Sequence, residues 1–150
     1  MTKKPPVVWY EDKALKKKKF LALTCKLVLT EGQFNMETYT GFAKDGYTEL
    51  DQPQCGTACC LGGNMMLAAR RLRLQVTDHN GYVLKDVVDI ALAIWKTLHP
   101  DVHHPFNRTC LRPDEAVMAL LKGEDIYCEP KSKTRKYVAR ARRWIRETGV

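Results

Sequence analysis

The chain has 150 residues, of which 45% are hydrophobic, and its formal net charge is +8. This length suits one domain with one core, and no stretch has the roughly 18 consecutive apolar residues of a transmembrane helix. Residues 1–10 lack the apolar segment and cleavage site of a signal peptide. The sequence therefore predicts a cytoplasmic protein whose six cysteines stay reduced.

Apolar periodicity predicts a mainly α fold, in which one small domain holds four or five helices. An extended basic arm over residues 1–10 precedes a helical core over residues 11–130, and a basic amphipathic helix occupies residues 131–150. An Asn-Gly pair indicates a short β-hairpin near residues 72–84. The first helix is predicted over residues 11–30, the second from Thr57 as N-cap through Leu72, and the third over 85–99. The fourth runs from Pro113 to Lys122 with Gly123 as the stop, and the fifth covers 134–147.

Positive charge is concentrated at the two ends of the chain. Residues 1–20 carry seven lysines against two acids (+5), residues 131–150 carry eight Lys or Arg against one Glu (+7), and residues 21–130 have a net charge of −4. Such clusters bind nucleic acid by releasing counterions or attract an acidic protein, and they also occur as plain solubilising surfaces. The candidate binding surface consists of Lys16, Lys17, Lys18, Lys19, Arg135, Lys136, Arg140, Arg142, Arg143 and Arg146.

Two aromatic residues of the last helix, Tyr137 and Trp144, are candidates for stacking on nucleotide bases. They fall on the same helical face as Val138, Ala141 and Ile145. Because that face is apolar, we expect both rings to pack inward.

A cysteine-rich segment forms the second candidate site. It contains Cys55, Gly56, Thr57, Cys59 and Cys60 at the predicted start of the second helix. Free N–H groups at a helix N-terminus stabilise a thiolate or hold an anion, which allows a cysteine-dependent enzyme or a pocket for a small anion. The favoured interpretation is that Cys59 and Cys60 are small buried residues in a tight helix start.

A catalytic cysteine needs a base, and a zinc site needs four ligands. The bases available are His79, His99, His103 and His104, and spacing selects none of them. Zinc would use two pairs of ligands, namely Cys55 with Cys59, and His99 or His103 with Cys110. However, neither a CxxC nor a continuous HxxxH pair is present. We therefore predict no bound cofactor, with a zinc-stabilised structural module as the alternative, and we expect the pair His103 and His104 to lie in an exposed loop. Enzyme motifs such as GxxxxGK[ST], HExxH and GxSxG are missing as well.

Three sequence patterns resemble a group of short bacteriophage and prophage proteins that have no assigned activity. In that group an FDMxxW start precedes CGTxxCxxG; here Asn35 and Tyr39 replace the usual Asp and Trp. The patterns cover roughly residues 33–122, are moderately specific and imply origin but no catalytic residues. The residues that carry them are Phe34, Asn35, Met36 and Tyr39, then Cys55, Gly56, Thr57, Cys60, Leu61 and Gly63, then Leu111, Arg112, Pro113, Asp114, Glu115 and Ala116.

These patterns predict a non-enzymatic, phage-type binding protein whose basic surfaces engage a host or viral macromolecule. The partner is an acidic protein or nucleic acid, and no membrane is involved. Two alternatives stay open, namely a dedicated nucleic-acid-binding protein and an enzyme or anion pocket at the cysteine segment. The oligomeric state does not follow from the sequence.

Overall fold

The computed structural model describes residues 7–8, 13–30, 34, 60–78, 80–106, 111–124, 126 and 128–150. Within these ranges the protein is mainly helical, as predicted. The five helices are α1 (Lys13–Leu29), α2 (Leu61–Arg71), α3 (Val87–Leu98), α4 (Pro113–Lys122) and α5 (Lys131–Thr148), and the two strands are β1 (Val7–Val8) and β2 (Gln75–Val76).

The predicted hairpin is a short antiparallel contact that joins a small sheet. Thr77 pairs with Val83, and the N–H of Gly81 donates to the carbonyl of Asp78 at 3.1 Å. Gly81 has a φ of 88°, which glycine adopts at no Cβ penalty. β2 also pairs antiparallel with β1, so Val7–Val8 of the predicted arm forms the neighbouring strand.

Two helices begin three residues away from a predicted start, and α3 begins two residues after its predicted start. α2 begins at Leu61, and its N-cap is Cys60 and not Thr57, which lies outside the described residues. The Sγ of Cys60 accepts a hydrogen bond from the N–H of Gly63 at 3.3 Å. A thiol is not among the usual N-cap groups, and for that reason the prediction was wrong. α5 begins directly after Pro130, at the start of the predicted basic segment 131–150 and three residues before the helix start predicted at 134.

The core is built around α1, which packs on α2, α4 and α5, while α3 packs on the far side of α2. α1 contributes buried Phe20, Leu23 and Val28. α2 is buried from Leu61 to Ala69. Because α2 has neighbours on both sides, it lacks the exposed polar face of a surface helix.

A buried carboxylate fixes the chain between α4 and α5. Glu115 is 1% exposed, and its two oxygens accept the backbone N–H groups of Arg112 at 3.0 Å and of Glu129 at 2.8 Å. The hydroxyl of Thr134, in the first turn of α5, donates to Asp114 at 2.7 Å. These bonds place the start of α5 beside the start of α4.

The same junction shifts the pKa of Asp114. Partial burial opposes the charged carboxylate, but hydrogen bonds from the Arg112 guanidinium, at 3.1 Å, and from Thr134 outweigh it. The pKa of Asp114 is therefore lower than its ordinary value, and the carboxylate stays charged at neutral pH.

Candidate anion-binding surface

The last helix has the amphipathic character that the sequence predicted. Thr134, Tyr137 and Ala141 are buried on its inner face. The predicted basic residues lie on its other faces, where Arg135, Lys136, Arg142, Arg143 and Arg146 are exposed and Arg140 is half-buried. Tyr137 therefore packs in the core, as expected, and the guanidinium of Arg140 lies 5.3 Å from its ring centre.

The lysines of α1 are brought next to α5, because the two helices pack against each other. Lys18 Nζ lies 2.7 Å from Glu147 Oε2 and 5.8 Å from the ring centre of Trp144. Its hydrogen bond is the main reason why the pKa of Glu147 is lower than usual. Lys17 is exposed and Lys19 half-buried. The side chain of Lys16 lies outside the described residues.

A groove runs along α5 on the side facing the end of α1. Its wider part has a volume of about 550 Å³ and its narrower part about 260 Å³, and Leu29 and Arg142 line both. Leu29, Val138 and Ile145 give it an apolar floor. We call it the α5 groove; its lining residues are Lys26, Leu29, Thr30, Pro113, Asp114, Lys131, Thr134, Arg135, Val138, Ala139, Arg142, Ile145 and Arg146.

The positive charges of the α5 groove are largely unneutralised. Arg135, Arg142 and Arg146 make no ion pair with any residue in the described ranges, and Asp114, an acid in the lining, is already bonded to Arg112 and Thr134. By contrast, two other cations of α5 have ion-pair partners: Lys133 lies 3.6 Å from Glu129, just before the helix, and Arg143 lies 3.7 Å from Glu147. The free arginines therefore line the groove.

Sequence reasoning missed the contributions of Lys26, Leu29 and Lys131. Lys26 and Leu29 are three positions apart on α1, which puts them on neighbouring parts of one helical face. That spacing is visible in the sequence, but the partner helix that turns this face into a groove wall is not. Lys131 precedes residue 134, where the last helix was predicted to begin, and it was not among the candidate binding residues.

The structure gives Cys60 a packing and capping role. It is fully buried, and burial raises the pKa of its thiol to about 11, although hydrogen bonds from backbone N–H groups act in the opposite direction. A nucleophilic cysteine needs a lowered pKa. Cys25 is also buried, with its pKa raised to about 12. Cys55, Gly56, Thr57 and Cys59 of the candidate pocket lie outside the described residues.

The histidines do not converge on a metal site in the part of the chain that the structure describes. No group of three or more His, Cys, Asp or Glu side chains there is placed to hold a metal ion. His103 is exposed, and its ring stacks on that of His104, with ring centres 4.5 Å apart. His79 and Cys110 lie outside the described ranges.

His99 is held in a structural position at the end of α3. Its Nε2 lies 2.7 Å from the carbonyl oxygen of Leu120, and its ring meets Trp95 edge to face with centres 4.8 Å apart. Burial lowers the pKa of His99, and the nearby Lys17 acts in the same direction, while the bond to Leu120 opposes them.

Comparison with known proteins found no matching family model, no matching curated protein and no matching solved structure. Among the described helices, none has the length and apolar character needed to cross a membrane. The evidence for what the α5 groove binds is therefore its own geometry, in which arginines without an ion pair in the described ranges border an apolar floor.

Proposed function

We propose that the protein is a non-enzymatic binding protein that holds an acidic partner protein in the α5 groove. The observation that carries this proposal is the row of Arg135, Arg142 and Arg146, which have no ion-pair partner in the described ranges and lie along an apolar floor. Clustered free cations attract and orient a partner of opposite charge.

The floor of the groove favours a protein partner over nucleic acid. Leu29 and Val138 offer apolar contacts that a phosphate backbone cannot use, whereas leucines between the acids of an amphipathic helix would fill them. Bases need stacking surfaces, but Tyr137 is buried and no aromatic residue is among the described groove-lining residues. Nucleic-acid binding stays as the alternative, and the buried Cys60 thiol offers no support for a cysteine-dependent enzyme.

The resemblance to phage proteins supports a host or viral protein as the partner, met in the cytoplasm of a bacterial cell. This step is an association with origin and not an argument from the site. The geometry itself supports only the chemistry of the partner, which is an acidic helix with apolar residues on one face.

The test measures binding of labelled probes by fluorescence anisotropy at several salt concentrations. The main probe is a helical peptide of about 20 residues with glutamates beside a leucine stripe, ~30 Å long and so comparable with α5. One comparison peptide has serine in place of leucine, and a DNA duplex of similar length represents nucleic acid.

The test variant is Arg135→Glu with Arg142→Glu. Its control, Arg71→Glu with Lys96→Glu, makes the same change in net charge at exposed sites on α2 and α3. The groove variant should weaken binding of the leucine-containing peptide by about tenfold or more and the control by less than about twofold. Stronger binding of DNA, with the same sensitivity to the groove variant, would replace the proposal with nucleic-acid binding. Equal losses in both variants would refute a groove-specific function.

A further inference from the structure

A second cavity lies between the end of α2, the hairpin and the start of α3. Its volume is about 620 Å³, within the range of pockets that hold small ligands. We call it the hairpin pocket, and none of its described lining residues also lines the α5 groove. Its lining residues are Met66, Ala69, Arg70, Arg73, Leu74, Gln75, Val76, Val83, Leu84, Lys85 and Ile90.

The hairpin pocket combines an apolar interior with a cationic rim. Met66, Val76 and Ile90 are buried or nearly so, whereas Arg73 and Lys85 are exposed and Arg70 is half-buried. None of these three cations has an ion pair with a residue in the described ranges, and none of the described lining residues is an acid. The rim therefore presents three positive charges around an apolar space.

The acids at the start of α3, Asp86 and Asp89, make no ion pair with this rim in the part of the chain that the structure describes. Asp86 is the N-cap of α3, and its Oδ1 accepts the N–H groups of Val88, at 2.9 Å, and Asp89, at 3.3 Å. Asp89 lies in the first turn of the same helix. Both carboxylates interact favourably with the positive end of the α3 dipole.

Arg73 occupies a backbone position that favours glycine. Its φ is 55°, its N–H donates to the carbonyl of Arg70 at 3.0 Å, and the N–H of Leu74 donates to that of Ala69 at 2.9 Å. This is the Schellman arrangement that ends many helices, usually with glycine in the left-handed position. An arginine there strains the backbone, and strain of this kind is concentrated at active sites and ligand-binding sites.

Apolar side chains are also exposed at this end of the molecule. Tyr82 is 72% exposed and Val83 53% exposed, and Val83 lines the pocket. They extend the apolar surface of the pocket outward, next to the arginine rim. A ligand that fits both parts has an anionic head and an apolar body.

We infer that the hairpin pocket binds a small, freely dissolved amphiphilic anion, such as a medium-chain carboxylate, with its head against Arg70 and Arg73. A carboxylate accepts parallel hydrogen bonds from a guanidinium, and the alkyl chain covers Met66 and Ile90. The volume suits a small molecule. This site is independent of the proposed function of the α5 groove.

The test is titration calorimetry with decanoate below its micelle concentration. Decanol has the same apolar body without the charge, and acetate has the head alone. The informative variant is Arg73→Gly, because glycine relieves the backbone strain. We expect it to raise the melting temperature by about 2–3 °C and to weaken decanoate binding by about tenfold. A variant that is more stable but binds less cannot be explained by misfolding.

The matched control is Arg71→Ala, which removes an equal charge from the same helix end at an exposed residue that does not line the pocket. It should leave decanoate binding within about twofold of wild type. Unchanged binding in Arg73→Gly, equal losses in both variants, or decanol binding as well as decanoate would each overturn the inference. The groove variant Arg135→Glu with Arg142→Glu should bind decanoate normally, so a failure of either proposal is recognised separately.

Discussion

Replacing Gly123 by alanine should destabilise the protein through a contact with His99. Gly123 ends α4 with a φ of 74°, and a Cβ there would lie 2.5 Å from His99 Nδ1 and 2.9 Å from its Cε1. The imidazole cannot simply rotate away, because Nε2 is bonded to the carbonyl of Leu120 and the ring packs on Trp95.

Three contributions set the expected loss. The left-handed backbone costs a non-glycine residue about 1 kcal/mol, the displaced hydrogen bond about 1 kcal/mol and the disturbed ring contact with Trp95 about 1 kcal/mol. The free energy of unfolding of Gly123→Ala should therefore fall by about 3 kcal/mol. For a protein of this size, each kcal/mol lowers the melting temperature by about 2–4 °C.

Two other glycines provide matched controls. Gly149 ends α5 with a φ of 71°, Gly81 has a φ of 88°, and a Cβ at either would meet no atom of the described residues within 4 Å. Alanine at these positions should cost only the backbone contribution of about 1 kcal/mol. Alanine also lowers the chain entropy of the unfolded state, but this effect is common to all three variants and cancels when their free energies of unfolding are compared.

The assay is equilibrium urea unfolding, combined with the double variant Gly123→Ala, His99→Ala. Removing the imidazole removes the obstacle, so Gly123→Ala should cost about 1 kcal/mol in the His99→Ala background. If Gly123→Ala in the wild-type background matches Gly149→Ala within about 0.5 kcal/mol, the proposed contact with His99 does not determine stability.

Three further predictions concern pH, the buried carboxylate and the thiols. The pKa of His99 is lowered in the folded state, so the unfolded chain takes up a proton first as the pH falls below about 6.5. The contribution of His99 to the free energy of unfolding is then fully present above that pH and declines below it. Between pH 8 and pH 5.5, urea unfolding should show a smaller decline in this free energy for His99→Gln than for the wild type. An equal decline would contradict the assignment of the effect to His99. Glu115→Gln turns an acceptor of two backbone N–H groups into a partial donor and should cost about 2–3 kcal/mol in the same assay, whereas Glu124→Gln at the surface should cost under about 0.5 kcal/mol. With iodoacetamide at pH 8, peptide mass spectrometry should find Cys128 alkylated and Cys60 protected until denaturant is added. Equal alkylation rates of the two thiols in the native protein would show that Cys60 is not buried as described.

Local signals in the sequence were sufficient for several features. α4 begins at Pro113 and ends before Gly123 as predicted, because its start and stop depend on residues within one turn of each end. The amphipathic pattern of α5 and the turn at Gly81 also depend on neighbouring residues. In each case the residue type and its immediate neighbours determine the backbone.

The N-terminus of α2 shows where such local reasoning fails. Thr57 has the better capping side chain, yet the helix begins after Cys60. Burial decides where the helix begins. Cys60 and Leu61 lie wholly inside the core, and packing such residues contributes more to stability than capping propensity does. No local rule expresses that preference.

Both candidate sites depend on tertiary structure in the same way. The α5 groove exists because Leu29 of α1 lines the same cavity as Val138 and Arg142 of α5, residues far apart in the chain. The sequence determined which residues are basic and which are apolar. Only the packing of α1 on α5 decided that free arginines border an apolar floor. Likewise, only the tertiary structure placed Arg73, at the end of α2, over a pocket. Such contacts arise from long-range burial and not from neighbours in the chain.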